Sequence, residues 1–545
     1  MNIRMKSIFL SLSLLFSVAF AAAQSVWTSD LGNGKYKNPV IFADYSDPDL
    51  IRTGDDYWMT ASSFNCVPGL PILHSTDLVN WELVNYALPR MYDAAFDAPS
   101  HGNGVWAPAI RFHDGWYYIY WGDPDRGVYM VRTQDPRGAW SEPHLVKAAQ
   151  GIIDTCPLWD EDGKAYLVHG WAGSRAGFKS VLSVSEMTPD GTELIGEDVL
   201  IFDGHEAHPT VEGPKFYKRN GYYYVFAPAG GVKPGWQIVL RSKSPWGPYE
   251  CRTVLHQGDT SVPGPHQGGW VDDVEGNHWF MHFDDRYAYG RILHLQPMTW
   301  TADDWCIIGV DQNKDGIGEP VMEYAKPASH VAGVVKMPVE NDEFNDRKLG
   351  LQWQWHANPQ TGWYFINRAE EKLRMYCKKH PAGWKNLWDT PNLLLQKVTA
   401  PDCTYTTKIE FREAYEGDRA GLVMMGQDYG WVGVEFRGDK LSILQTECYG
   451  ANKGAAETVN ASVPFAGGSV WLRCKIAWSV DANLVPTMTC QFSYSLNGKK
   501  FTDIGKPFIA CEGQWIGAKI GYFATAEIQK NDGGWIDIDW FRVTK

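Results

Sequence analysis

Val211–Gly230, VEGPKFYKRNGYYYVFAPAG, is the stretch whose reading decides the fold. A carboxylate, Glu212, stands beside Gly213 and Pro214. The charged turn Lys218-Arg219-Asn220-Gly221 then leads into the aromatic run Tyr222–Phe226. Strand, tight turn, aromatic strand describes a hairpin with a carboxylate at its far end. The unit occurs four more times. Asp47 opens DPDLIRTGDDYWMTAS and Trp106 opens WAPAIRFHDGWYYIYW; Asp154 opens DTCPLWDEDGKAYLVHG and His266 opens HQGGWVDDVEGNHWFMHF. The turn glycines (Gly54, Gly115, Gly163, Gly221, Gly276) follow one another at 61, 48, 58 and 55 residues. After each aromatic strand comes a further polar turn between two short strands, such as HSTDLVNWEL or RSKSPWGPYECR. Four strands per repeat, five times, predicts a five-bladed β-propeller in which the first strand of every blade lines the axis. Asp47, Trp106, Asp154, Glu212 and His266 are then expected at one mouth of the channel.

Upstream, residues 1–23 carry Arg4 and Lys6, an apolar run from Ile8 to Phe20, and Ala21-Ala22-Ala23 before Gln24. This is the pattern of a secretory signal peptide. Its apolar stretch is too short to span a bilayer, and no cysteine follows the cleavage site. The expectation is an exported protein, periplasmic or extracellular, without a membrane anchor; the oligomeric state is not legible. The propeller is expected over 24–319. Residues 320–340, with prolines at 320, 327 and 338, read as a surface connector. From 341 to 545 segments such as YTTKIEFRE, WVGVEFRG and CQFSYSLNG alternate apolar and polar residues between turns. They predict a second all-β domain, a two-sheet β-sandwich of the concanavalin-like jelly-roll kind, acting either in carbohydrate binding and pocket closure or as a stabilising partner.

The composition narrows the function. A net charge of −14 and the lack of any basic run exclude a nucleic-acid surface. Twenty-six Trp, 26 Tyr and 23 Phe exceed what core filling needs and suit stacking on sugar faces. Ten cysteines show neither a C-x-x-C pair nor zinc spacing, and read as buried thiols. Asp311, Asn313, Asp315 and Gly316 copy the first half of a calcium loop, but the twelfth position is Met322 where a glutamate is needed. An Asx-rich turn is the simpler reading.

Hydrolysis of a glycosidic bond needs one protonated carboxyl for the leaving oxygen and one ionised carboxylate for water or carbon. Three carboxyls at matching blade positions supply them. Glu212 suits the general acid and Asp47 the general base. Asp154, a third carboxylate, would orient Glu212 and keep it protonated by repulsion. His266 shares the ring, as a structural residue or a channel ligand. Arg291, in YGRILHL, pairs with a carboxylate or a sugar hydroxyl, and Phe64 and Trp106 supply an apolar wall.

At these residues the chain resembles glycoside hydrolase family 43, in the β-xylosidase / α-L-arabinofuranosidase branch with a C-terminal β-sandwich. NPVIFADYSDPDL, ASSFNCVPGLPILHSTDLVNW, NGVWAPAI, GIIDTCPLWDEDGKAYLV, EGPKFYKRNGYYYVFAPAGG and AYGRILHL carry the resemblance in the propeller. LQWQWHANP, PNLLLQKVT and QWIGAKIGYF carry it in the second domain. It implies an inverting mechanism with Asp47 as base, Glu212 as acid and Asp154 as pKa modulator. It also implies that Phe64, Trp106 and Arg291 line the sugar subsite. No cofactor is required, but in some members a channel histidine binds structural calcium or sodium, a role that falls on His266. Where many β-xylosidases have an aromatic pair after the wall Phe, this chain has Asn65-Cys66-Val67, which implies a differently shaped subsite. The expected activity is exo-acting release of terminal β-D-xylosyl or α-L-arabinofuranosyl residues from hemicellulose-derived oligosaccharides, with the choice of sugar open. The alternatives are an endo-arabinanase-like hydrolase and a non-catalytic sugar-binding propeller, against which the three carboxyls argue. A retaining, fructosidase-like enzyme would need WMNDPNG and RDP-type segments that are missing.

Overall fold

The structure is a computed structural model that describes residues 25–331, 334–481 and 485–545. The expected signal peptide lies outside the described residues. Among those residues no helix is long and apolar enough to cross a membrane.

Five four-stranded antiparallel sheets form the propeller, each with its strands in chain order. Their innermost strands are Asp49–Thr53, Trp106–His113, Ile152–Trp159, Lys215–Arg219 and His266–Asp272. These strands bond across blades and fill the axis. Arg111 Nη1 donates to Asp49 Oδ2 at 2.6 Å, and Arg111 Nη2 reaches Cys156 Sγ at 2.8 Å. Lys215 Nζ donates to Pro108 O at 3.0 Å, and Trp270 N to Tyr217 OH at 3.0 Å. Between blades, aromatic and aliphatic side chains form separate cores, as where Phe226, Tyr224 and Phe280 meet. The aromatic second strands of the sequence repeats are what fill these layers.

The N-terminal segment packs on the last blade. It contributes an isolated bridge, Ile41 to Leu293, rather than a full strand. Val40 N donates to Leu293 O and Leu293 N to Ile41 O. Lys35–Lys37 pairs instead with Glu323–Ala325, which ties the connector to the propeller. The Asp311 turn is internally bonded: the Asp311 carboxylate accepts from Asp315 N and Gly316 N, both at 3.1 Å.

One distortion repeats in all five blades. Residues 46–49, 106–109, 153–156 and 212–215 each set three steps against two on the neighbouring strand, and 266–268 sets two against one. Each is a β-bulge with one residue in the left-handed region: Asp47 (φ 55°), Ala107 (35°), Asp154 (60°), Gly213 (56°) and Gln267 (44°). The structural equivalents of Asp47 and Asp154 are therefore Ala107, Gly213 and Gln267. Trp106, Glu212 and His266 stand one residue earlier, so the matching positions expected from the sequence are out of step by one. The bulge absorbs the difference because it turns successive side chains toward the same mouth.

The second domain is a sandwich of two eight-stranded, largely antiparallel sheets. Its inner faces meet through residues such as Leu422, Met424, Leu472, Ile476 and Ile538, all buried. The same core continues into the propeller through Val67, Phe96, Trp353 and Trp355. Val67 and Trp355 exchange backbone hydrogen bonds of 3.0 and 2.6 Å. The two units thus share one apolar core. All ten cysteines are free thiols, eight of them buried.

Candidate active site

At the bulged ends of the inner strands lies a cavity of about 370 Å³. Asp47, Asp154, Glu212, Phe64, Trp106 and Arg291 all line it. The structure therefore brings together six of the seven residues singled out from the sequence.

Asp47 is buried and tightly held. Its Oδ2 accepts from Ser46 Oγ at 2.7 Å and from Ser62 Oγ at 2.5 Å. Ser62 Oγ in turn accepts from Ala107 N at 2.7 Å, so the neighbouring blade's bulge fixes it. Arg291 Nη1 donates to Ser46 Oγ at 2.7 Å and stands 3.4 Å from Asp47 Oδ1. Burial works against the Arg291 charge, but Asp47, Asp285 and Asp44 outweigh it and hold the guanidinium above its ordinary pKa. A carboxyl beside a permanent cation is the electrostatic setting a general base requires.

Glu212 projects into the cavity with its side chain 27 % exposed, and its Oε1 meets His266 Nε2 at 3.1 Å. Asp154 lies deeper: Oδ2 accepts from Gly213 N at 2.8 Å. Burial, then the Glu212 charge, push the Asp154 carboxyl up to about 8. The sequence reading put the proton on Glu212 and the charge on Asp154; in the structure it is Asp154 that is driven toward its neutral form. Deep burial disfavours its anion, whereas Glu212 keeps access to solvent.

Phe64 and Trp106 form an apolar wall, with rings 6.2 Å apart and tilted by 69°. The wall continues into Trp515, 6.0 Å from Trp106 and contributed by the second domain. The sequence reading missed Trp515. The signal available was the turn-like EGQWIG, which overlaps the start of the segment QWIGAKIGYF. The loop is anchored from the propeller: Asp44 accepts from Gly517 N at 3.0 Å and from Arg291 N at 2.9 Å. Ser46 and Ser62, which fix Asp47, were missed as well, because nothing in their spacing marks them.

Two expectations need correction. His266 does not line the cavity; it is fully buried behind Glu212 and holds it from below. Its Nδ1 has no protein partner and faces the backbone of Gly235. Calcium takes six to eight oxygen ligands. Among the described residues no group of three or more His, Cys, Asp or Glu side chains could hold a metal ion. The second correction concerns Asn65-Cys66-Val67, which is part of the domain junction and not of the subsite wall. Asn65 Nδ2 donates to His356 O at 2.8 Å, and Lys519 Nζ to Cys66 Sγ at 3.0 Å.

The fold and this constellation of carboxyls define a retaining or inverting glycosidase site on a propeller, and comparison with known proteins identifies the family. Residues 36–306 match Glycosyl hydrolases family 43, and residues 341–544 match the Beta xylosidase C-terminal Concanavalin A-like domain. A putative beta-xylosidase of Xylanibacter ruminicola is 38% identical, over 91% of this chain and 87% of its own length. A non-reducing end alpha-L-arabinofuranosidase of Bacteroides ovatus is 28% identical, over 94% of this chain and 95% of its own. The crystal structure of xylan beta-1,4-xylosidase from Bacillus halodurans shares the fold, with a TM-score of 0.82 at 24% identity, covering 93% of this chain and 100% of that one. The chain belongs to glycosyl hydrolase family 43, and it is a glycoside hydrolase.

Proposed function

We propose that the protein is an exported, exo-acting, inverting hydrolase that releases terminal β-D-xylosyl or α-L-arabinofuranosyl residues from hemicellulose-derived oligosaccharides. The observation that carries this reading is the cavity itself: Asp47 and Glu212 line one pocket whose wall includes Trp515 from a second domain. A pocket walled in this way suits a chain end, whereas endo-cleavage needs an open cleft. The names of the relatives support both pentoses and leave the choice between them to experiment. The N-terminal charge and apolar pattern supports export.

In this mechanism Asp47, held by Ser46, Ser62 and Arg291, takes a proton from water as it attacks the anomeric carbon. Glu212 delivers a proton to the leaving oxygen. In the free protein Asp154 is the carboxyl that burial and the neighbouring Glu212 drive toward its neutral form. A bound sugar strips water from the Glu212 side of the cavity, which favours a proton on the acid. Asp154 and His266 position Glu212 throughout. Phe64 and Trp106 present flat apolar faces to the sugar ring.

The test is hydrolysis of aryl β-D-xyloside and aryl α-L-arabinofuranoside, with NMR of the first anomer released. Release of the inverted anomer from either substrate is expected. A retained first product, or no release from either, overturns the reading.

A further inference from the structure

Phe64 walls the catalytic cavity; three and four residues on, Val67 and Pro68 line a different depression of about 610 Å³ at the junction of propeller and sandwich. Its sandwich side is the edge strand Tyr364–Asn367, with Phe365 53 % exposed and Leu351 39 % exposed beside it. Arg347, Lys348 and Arg368 complete the lining, which contains no Asp or Glu. That is unexpected on a chain of net charge −14.

The cations are also free. Among the described residues, Arg347 and Arg368 are the two arginines whose guanidinium groups have no carboxylate, hydrogen-bond or ring partner. Lys348 has none either. Elsewhere on this surface arginines are paired, as Arg374 is with Asp537 at 2.7 Å. A guanidinium fork takes a carboxylate in bidentate fashion, and an exposed aromatic face takes the C–H face of a sugar ring. The two together describe one ligand chemistry: a sugar chain carrying carboxylates.

We propose that this groove is a second glycan-binding site, for oligosaccharides with uronic-acid substituents, and that it holds an acidic polymer beside the catalytic cavity. The loop shared by the two sites sets their spacing. A polymer held in the groove raises the local concentration of chain ends at the pocket without any new contact there. The choice of a glycan rests on the glycosidase reading; binding in the groove does not depend on turnover.

Isothermal titration of the full chain carrying Glu212→Gln, which spares the ligand, tests the site. The probes are xylotetraose, the same tetraose bearing one glucuronic acid, and a hexaglutamate peptide. The acidic tetraose is expected to bind about tenfold tighter than the neutral one at low salt, and the advantage is expected to shrink at high salt. Adding Arg347→Gln and Arg368→Gln removes the preference, and Phe365→Ala weakens both sugars. With Glu212 intact, the Arg347→Gln/Arg368→Gln variant hydrolyses an aryl pentoside at the natural rate. Equal binding of the two sugars, a preference that survives the double substitution, or hexaglutamate binding as tightly as the acidic sugar overturns the proposal. Loss of aryl pentoside hydrolysis by the natural chain counts against the cavity reading alone.

Discussion

Asp154 carries the sharpest consequence of its surroundings. Its folded pKa, about 8, is raised above the ordinary value of 3.8. Between those two values the unfolded chain binds fewer protons than the native one, so stability falls as pH rises through this window. Asp154→Asn, which can still accept from Gly213 N, is expected to raise the melting temperature at pH 8 more than at pH 4, and to lower kcat. A melting temperature that changes equally at both pH values would exclude the buried carboxyl as the cause. The proposed acid and base separate by leaving group. Glu212→Gln is expected to cost roughly 10²–10⁴ in kcat on alkyl or sugar leaving groups and much less on a nitrophenyl leaving group, because a good leaving group needs little protonation. Asp47→Asn should cost a similar factor on both kinds. A Glu212→Gln loss that is indifferent to the leaving group would remove that residue from the role of acid.

At the scale of the strand, the bulge is what aims the chemistry. Five inner strands each place one residue at positive φ, and four of the five are not glycine, a conformation that costs of order 1–3 kcal/mol per residue. The packed propeller around them meets that cost, since each bulge is held by ladder bonds on either side. Gly213 is the exception in residue type. A Cβ there would meet Gln267 Cδ at 2.5 Å, and φ is 56°. Gly213 also donates to Asp154 and directly follows Glu212, so its conformation sets how that carboxyl enters the cavity. Gly213→Ala is therefore expected to lose about 1–2 kcal/mol of stability and most of the activity, read by denaturant unfolding and by kcat on an aryl pentoside. Natural activity in that variant would mean that the bulge does not set the position of Glu212.

For the whole molecule, the sandwich supplies part of the cavity wall through Trp515. The core that links Val67, Trp353 and Trp355 across the junction predicts that residues 25–330 alone will not fold into a soluble propeller. Trp515→Ala isolates the contribution to the pocket. Its ring is 45 % exposed, so the fold should tolerate the change, and KM should rise about tenfold from lost stacking area while the melting temperature holds. An unchanged KM would leave the second domain with a stabilising role only.

The repeat of turn glycines and aromatic strands was enough to specify a five-bladed propeller, because closing a sheet repeat into a ring leaves few other ways to bury those aromatics. The second domain was legible for the same reason: strict alternation over many short segments has one economical packing. The three carboxyls were legible as chemistry, since Asp47, Asp154 and Glu212 each open one of the strand–turn–aromatic strand repeats. Their register was not. A one-residue bulge leaves no mark in composition, and only paired strands show that Glu212 stands one position before the equivalents of Asp47. Nor did the sequence reveal that Asp154 is pushed toward its neutral form, because burial, not residue type, lifts it. Trp515 lies more than 400 residues from Phe64 and Trp106 in the chain. Only the shared core brings it to them, so the choice of candidate carboxyls belongs to the sequence, and the pocket that gathers them beside Trp515 to the tertiary structure.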